Sequence, residues 1–545
     1  MARSSTLLVL LLTRFLSVDG QVNRYMVFFS NKDNTPYSIS NPAEYLSERS
    51  LNRRLNQEIT IVEDDLPVDP DYVAQLESES ITVFYKTKWM NGVLVQVDET
   101  KIALIEAFEF VTGTELVAGG EGLLNPDPTS GRKFKGSGGS RIKSLKSSQT
   151  QNAMIAVDLM HNRNFKGQNM LIAVFDGGFS GVIEASPFQH IIDDNRIIAT
   201  YDFVSNSNDV YSALDDHGTR VFSAIGGFIE GEYAGTAYEA DFVLCITEEI
   251  PTEYRIEEYN WLFAAEFADS LGVDVINTSL GYNIFDDDRT MDYNLTDIDG
   301  QTAIITRASN MAAQKGMLLV ASAGNKDFWD EITPPADSEG VLAVGMVGVN
   351  GLISSGSSIG PTADGRIKPD VVAQGVGTAV INKNGSIVSG NGTSFASPLV
   401  AGLAAGVWQA NPDWTNFEVM EAIKMSGDRA ESPDNSYGYG IPDFIVAAGN
   451  SILSVDDILT QKIKVYPNPF SDNKVFIDLN SELVHGDLEI ALFNLSGKLL
   501  LQQIFKAGLA DKIIVFETSE LLPAGTYLLT VQSETVRTEV RLIKY

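Results

Sequence analysis

The residues able to do chemistry sit in four short stretches. Ser394 lies in Gly390-Asn391-Gly392-Thr393-Ser394-Phe395-Ala396-Ser397-Pro398, where two glycines and a Thr lead into the serine. The run after it, Phe395 to Gln409, is rich in Ala, Leu and Val on every side, the pattern of a buried helix. A serine at that junction stands where unpaired N–H groups and the helix dipole favour negative charge. Two readings are open for it there, a cap on a core helix or a nucleophile. The stretch is not a G-x-S-x-G elbow, because Ala396 occupies the last Gly position. Pro398 falls in roughly the first turn, where a missing N–H costs little. Asp176 closes the apolar run Leu171 to Phe175 and precedes Gly177-Gly178. His217 sits in Asp215-Asp216-His217-Gly218-Thr219, and Asn325 ends Leu319-Val320-Ala321-Ser322-Ala323-Gly324-Asn325. Taken singly, each has an ordinary role: a strand-ending Asp, a packed histidine, a turn Asn.

In chain order the four stretches resemble the Asp, His, Asn and Ser motifs of subtilisin-like serine proteases, the subtilase family. The order Asp, His, Ser is the one known from subtilisin itself. The resemblance covers roughly Ala153 to Ile452 and implies a secreted serine endopeptidase. It implies Ser394 as nucleophile, His217 as the group that takes and returns the proton, and Asp176 as the carboxylate orienting His217. It also implies Asn325 as an oxyanion donor, together with the Ser394 N–H. Ser279, Leu280 and Gly281, at the end of a strand-like run from Val275, match the segment that pairs with substrate backbone. Arg220 stands where the family usually has a second His, and Gly177 where a small polar residue is common. Asp216, next to His217, would raise the imidazole pKa if its side chain faced the ring. Lys326 beside the oxyanion Asn suggests tolerance for an acidic residue just before the cut. The resemblance implies no cofactor for catalysis and no catalytic metal. Structural calcium is common in the family, and Asp286-Asp287-Asp288 is its candidate, although such a run is also what a solvated loop looks like.

Composition narrows the partners. The chain of 545 residues carries 72 acidic and 39 basic residues, a formal charge of −33, which argues against nucleic acid or an anionic membrane. One cysteine, Cys245, excludes an intramolecular disulfide, and its apolar surroundings read as a core thiol. His161, His190, His217 and His485 are too scattered for a transition-metal site. Near the start, Arg3 and the apolar run Leu7 to Leu12 read as a signal peptide, cut before Gln21. No other stretch reaches 18 apolar residues, so no membrane span is expected.

The elements that must hold the four stretches follow from periodicity. Strand-like runs at Met170–Phe175, Arg196–Phe203, Asp241–Thr247, Val273–Ser279, Met317–Ala323 and Val341–Val349 alternate with helical runs at His217–Phe228, Glu257–Leu271 and Thr302–Lys315. Such alternation predicts a parallel sheet flanked by helices, with active groups at the carboxyl ends of the strands. The expected fold class is therefore α/β and subtilisin-like, with an α+β domain before it and a β-sandwich after it. The expected division is a signal peptide over 1–20, an α+β domain over 21–120, a Gly/Ser/Lys-rich linker over 121–151, the peptidase domain over 152–455 and a β domain over 460–545.

The position of the α+β domain resembles an inhibitory subtilase propeptide, and the linker is the place expected to be cut. In the tail, Tyr466-Pro467-Asn468-Pro469-Phe470, Leu495-Ser496-Gly497-Lys498 and Pro523-Ala524-Gly525-Thr526-Tyr527 resemble the type IX secretion sorting domain of Bacteroidota. That resemblance implies export to the outer surface or beyond, with the secretion machinery and peptide substrates as partners. The competing readings are a non-catalytic cell-surface binding protein that keeps the fold, and a serine esterase.

Overall fold

The structure is a computed structural model that describes residues 22–119, 148–249, 252–286, 289–326 and 331–449, with the strands of the tail between 463 and 544. The expected signal peptide and nearly all of the expected linker lie outside the described residues. The chain forms two compact units, 1–448 and 449–545.

The first unit opens with an antiparallel sheet of β1 (Val22–Phe29), β2 (Thr82–Thr87), β3 (Gly92–Asp98) and β4 (Val111–Ala118), in the order β2-β3-β1-β4. Helices α1 (Glu48–Asn56) and α2 (Pro70–Ser78) interrupt it. Each starts at a capped position: the Ser47 side chain accepts from the Ser50 N–H, and Asp69 from the Asp71 N–H with Pro70 at the first position.

Behind this sheet lies a seven-stranded, all-parallel sheet. Its strands are β5 (Leu171–Asp176), β6 (Ile197–Asp202), β7 (Asp241–Ile246), β8 (Val275–Thr278), β9 (Leu318–Ser322), β10 (Val341–Val347) and β11 (Val371–Gln374). The order is β11-β10-β9-β8-β5-β7-β6. The central strands are buried at every position, as expected where both faces are covered. On one face, Leu171, Ala173 and Phe175 share a core with Trp261 and Leu262 of α4 (Ile256–Leu271) and with α5 (Ile304–Gln314). Elsewhere α6 (Thr393–Ala410) packs along β8 to β11 and against α3 (His217–Gly226). No helix among the described residues is long and apolar enough to cross a membrane.

The N-terminal sheet docks on α4 through charges buried across the contact. Asp269 of α4 meets Arg53 at 2.6 Å, Arg54 at 2.8 Å and Lys88 at 3.0 Å. Glu266, one turn earlier, accepts from Thr87 Oγ1 and from the N–H groups of Lys88 and Trp89. Met26, Trp89 and Leu94 join the same apolar core as α4.

The second unit holds two antiparallel sheets, β14-β15-β18 and β17-β16-β19-β20, numbered after the hairpin β12 (Val376–Ile381) and β13 (Ile387–Asn391) of the first unit. The strands are β14 (Ile463–Tyr466), β15 (Lys474–Leu479), β16 (Leu488–Asn494), β17 (Leu499–Phe505), β18 (Ile513–Glu517), β19 (Gly525–Gln532) and β20 (Arg537–Lys544). Val475, Ile477 and Phe516 of one sheet share a core with Ile490, Leu529 and Val531 of the other, a sandwich arrangement.

Candidate active site

Three neighbouring strands deliver three of the singled-out residues to one end of the parallel sheet. Asp176 is the last residue of β5, Ser279 follows β8, and Asn325 stands three residues past β9. This is the carboxyl edge, where open α/β sheets place ligands. Two helix starts supply the rest: His217 opens α3 and Ser394 is the second residue of α6. His217, Asn325, Ser394, Asp215 and Arg220 line one cleft of about 490 Å³.

His217 Nδ1 lies 2.8 Å from Asp176 Oδ1, which also accepts the Gly177 N–H. Asp176 Oδ2 is buried and has no hydrogen-bond partner among the described residues, so much of the carboxylate charge is unshared. The pair is close because residue 218 is glycine. A Cβ there would stand 2.4 Å from the Gly178 oxygen and 2.9 Å from Asp176 Cβ. The room that Gly218 leaves is thus for Asp176 and its loop. Two further bonds fix the loops together, Thr219 Oγ1 to the Ser180 oxygen and Ser180 Oγ to the Asp215 oxygen.

Burial by itself would lower the His217 pKa. The Asp176 carboxylate beside it, its hydrogen bond, and the charges of Glu248 and Asp215 outweigh that and raise it to about 9. Asp216, the neighbour expected to act on the ring, instead pairs with Arg220 one turn along α3. Asp215 is the contributor from that loop, and its Oδ1 accepts the His217 N–H.

Pro398 is the sixth residue of α6, a full turn beyond the Ser394 carbonyl, and so lies past the first turn where the sequence placed it. A proline there donates nothing to the carbonyl four residues back. The Ser279 hydroxyl fills that role, donating to the Ser394 oxygen at 2.9 Å, while Ser394 Oγ lies 3.3 Å from the Ser279 oxygen. Ser279 and Leu280 are buried, and both polar ends of Ser279 engage Ser394. Gly281 is partly open, and a Cβ on it would press on Thr333.

Asn325 is held by its oxygen. Oδ1 accepts from the Thr393 N–H at 3.0 Å and Thr393 Oγ1 at 3.2 Å, which leaves Nδ2 as the donating side of the amide. Gly392 has φ of 144°, a conformation that favours glycine. A Cβ at Gly392 would lie 3.6 Å from Asn325 Oδ1 and 3.8 Å from both Asn325 Nδ2 and the Ser394 nitrogen.

No group of three His, Cys, Asp or Glu side chains among the described residues is arranged to hold a metal. Asp286 accepts the Glu253 N–H, and Asp287 and Asp288, the rest of the calcium candidate, lie outside the described residues. Sequence reasoning missed one group at the site. Glu248, just past β7, acts on His217 and Asp176, and its only signal was an acidic pair following a buried strand.

Comparison with known proteins assigns three regions of the chain. Residues 167–440 match the subtilase family, 24–127 a peptidase S8 propeptide domain of Bacteroidota, and 464–545 a secretion system C-terminal sorting domain. The serine protease AprX of Bacillus subtilis is 27% identical over 345 residues, covering 57% of this chain and 72% of that protein. Subtilisin NAT of Bacillus subtilis subsp. natto is 27% identical over 292 residues, covering 53% and 67%. Among solved structures, MycP1 from the ESX-1 type VII secretion system matches with a TM-score of 0.45 and 22% identity, over 58% of this chain and 90% of that one.

Proposed function

The chain belongs to the subtilase family of serine endopeptidases, and from that premise we propose that Ser394 is its nucleophile and His217 its general base. In this reading Ser394 Oγ attacks the peptide carbonyl while His217 Nε2 takes the proton and returns it to the leaving amine. Asp176 holds the ring through Nδ1 and stabilises the imidazolium. Asn325 Nδ2 and the Ser394 N–H receive the oxyanion, and water then releases the acyl group from Ser394 through the same base. Subtilisins need no cofactor for this chemistry.

The 2.8 Å bond between His217 and Asp176, in a cleft that Ser394 and Asn325 also line, is the observation that carries the reading. Trapping tests it: brief reaction with an activated acyl ester, acid quench and peptide mapping should find one acyl group, on Ser394. An acyl group on any other residue defeats the assignment.

The flanking regions fit the same account. The C-terminal sorting domain marks the chain for export to the cell surface or beyond. Residues 21–120 act as an inhibitor docked on α4, the linker 121–151 is where the chain cuts itself, and 460–545 engages the secretion machinery. Ser279 to Gly281 border the bound peptide.

A further inference from the structure

Glu248 is partly exposed beside the candidate base. The Thr247 N–H donates to the Asp176 oxygen at 3.1 Å, so β7 keeps pairing with β5 up to the level of the Asp176–His217 pair, and Glu248 is the next residue. Its Oε2 lies 3.5 Å from the hydroxyl of Tyr282, the residue after the Ser279–Gly281 segment. The carboxylate is therefore wedged between the candidate base and the candidate peptide-binding segment.

The one cation that faces it among the described residues is His217, which already pairs with Asp176. The charged groups that face Glu248 are Asp176, Asp215, Glu257 and His217, and no lysine or arginine pairs with it among the described residues. Burial and the Asp176 charge push its carboxyl up to about 8, the mark of a site where the negative form lacks compensation. By contrast Glu249, one residue on, is faced by Arg24 of β1. A second observation, independent of the site, names what would fit. In a chain of net charge −33, the linker carries Arg132, Lys133, Lys135, Arg141, Lys143 and Lys146 against Glu121 and Asp127. The stretch assigned to self-cleavage is basic in an otherwise acidic protein.

We propose that Glu248 selects a Lys or Arg side chain of the substrate, at a position within two residues of the scissile bond. The inference rests on the active-site reading above and narrows it to basic peptides, the protein's own linker among them. An ammonium or guanidinium beside Glu248 would hold its ionised form and supply a counter-charge that His217, shared with Asp176, gives only in part. A hydrogen bond to a charged group corresponds to about tenfold or more in relative kcat/KM.

The test digests a proteome-derived peptide library with the full secreted protein and maps the cuts. A fluorophosphonate label on Ser394 is read in the same sample. The expected result is labelled protein with Lys or Arg enriched at one position within two residues of the cut. In Glu248→Gln, kcat/KM for a matched basic peptide should fall at least tenfold relative to its neutral analogue, and Glu248→Asp should recover part of that ratio. Labelling and cleavage without basic enrichment would overturn the inference and leave the triad standing. Enrichment that persists in Glu248→Gln would remove Glu248 from the role. A shift in pH profile with selectivity unchanged would reduce Glu248 to an electrostatic neighbour of His217. Absence of both label and cleavage would overturn the active-site reading itself.

Discussion

The docking of the N-terminal domain gives the sharpest quantitative prediction. Asp269 of α4 is fully buried against Arg53, Arg54 and Lys88 at 2.6, 2.8 and 3.0 Å, and all three cations come from the N-terminal domain. Burial would raise its carboxyl, but Lys88, Arg53 and Arg54 hold it far below the usual carboxylate range. A depressed carboxylate contributes its stability above the unfolded value, about 3.9, and loses it only as pH falls toward the lower folded value. Mild acid alone should therefore leave this contact in place. Asp269→Asn removes the charge and strands two buried arginines and the half-buried Lys88, with Asp65 as the acid still bonded to Arg54. Breaking a buried pair from one side costs about 3–5 kcal/mol, or about 10²–10⁴ in the docking equilibrium. Off the docked domain Asp269 would meet water, so the cost falls on docking rather than on the peptidase fold. Hydrogen exchange on full-length Ser394→Ala, with and without Asp269→Asn, measures it. Amides of α1 and of the β2–β3 turn should exchange at least a hundredfold faster while β5, β8 and β9 keep their protection. A change below threefold in α1 would refute the reasoning, as would equal loss of protection in the parallel sheet.

Four further outcomes follow from the site. Asn325→Ala should lower kcat by about 10²–10³ with little change in KM, the range measured for the corresponding donor in subtilisin; steady-state kinetics on a peptide amide checks it, and a change confined to KM would count against an oxyanion role. The imidazole must be neutral to act as base, so kcat/KM should rise with pH through about 9, and Glu248→Gln should move that limb to lower pH. The His217–Asp176 pair should correspondingly stabilise Ser394→Ala fully below about 6.5 and progressively less as pH rises through about 9, read by urea unfolding. Ser279→Ala leaves the Ser394 carbonyl without its hydroxyl donor and should cost about 1–3 kcal/mol of stability in the same assay.

Much of the architecture was legible because buried parallel strands are written as unbroken apolar runs. Met170–Phe175 and Met317–Ala323 read as strands from their apolar runs, and the strands found there, β5 and β9, are buried throughout. The candidate site residues stood out because four motifs fall in the order of the subtilase family, and the glycine beside His217 marks a backbone approach, that of Gly218 to Asp176. What stayed hidden depends on partners far away in the chain. Arg53 and Asp269 are 216 residues apart, so nothing local shows that two basic residues on α1 are buried against an acid. Asp215 and Asp216 are adjacent acids, and only the direction of each side chain, set by Arg220, decides which one acts on His217. The β11 segment Val371–Gln374 is only four residues long and follows Lys368-Pro369-Asp370, so periodicity had too little to count. Pro398 was placed one turn early because the helix begins at Thr393, ahead of its apolar run.

The central claim is that Ser394 is the nucleophile and that the protein matures itself. Intact-mass analysis of secreted wild type beside Ser394→Ala, each offered a fluorophosphonate, tests both parts at once. The account predicts that wild type loses its N-terminal segment, with a cut within 121–151, and gains one label on Ser394, whereas the variant keeps the segment and stays unlabelled. A variant that still takes the label, or a wild type that keeps its N-terminal domain and takes none, would contradict it.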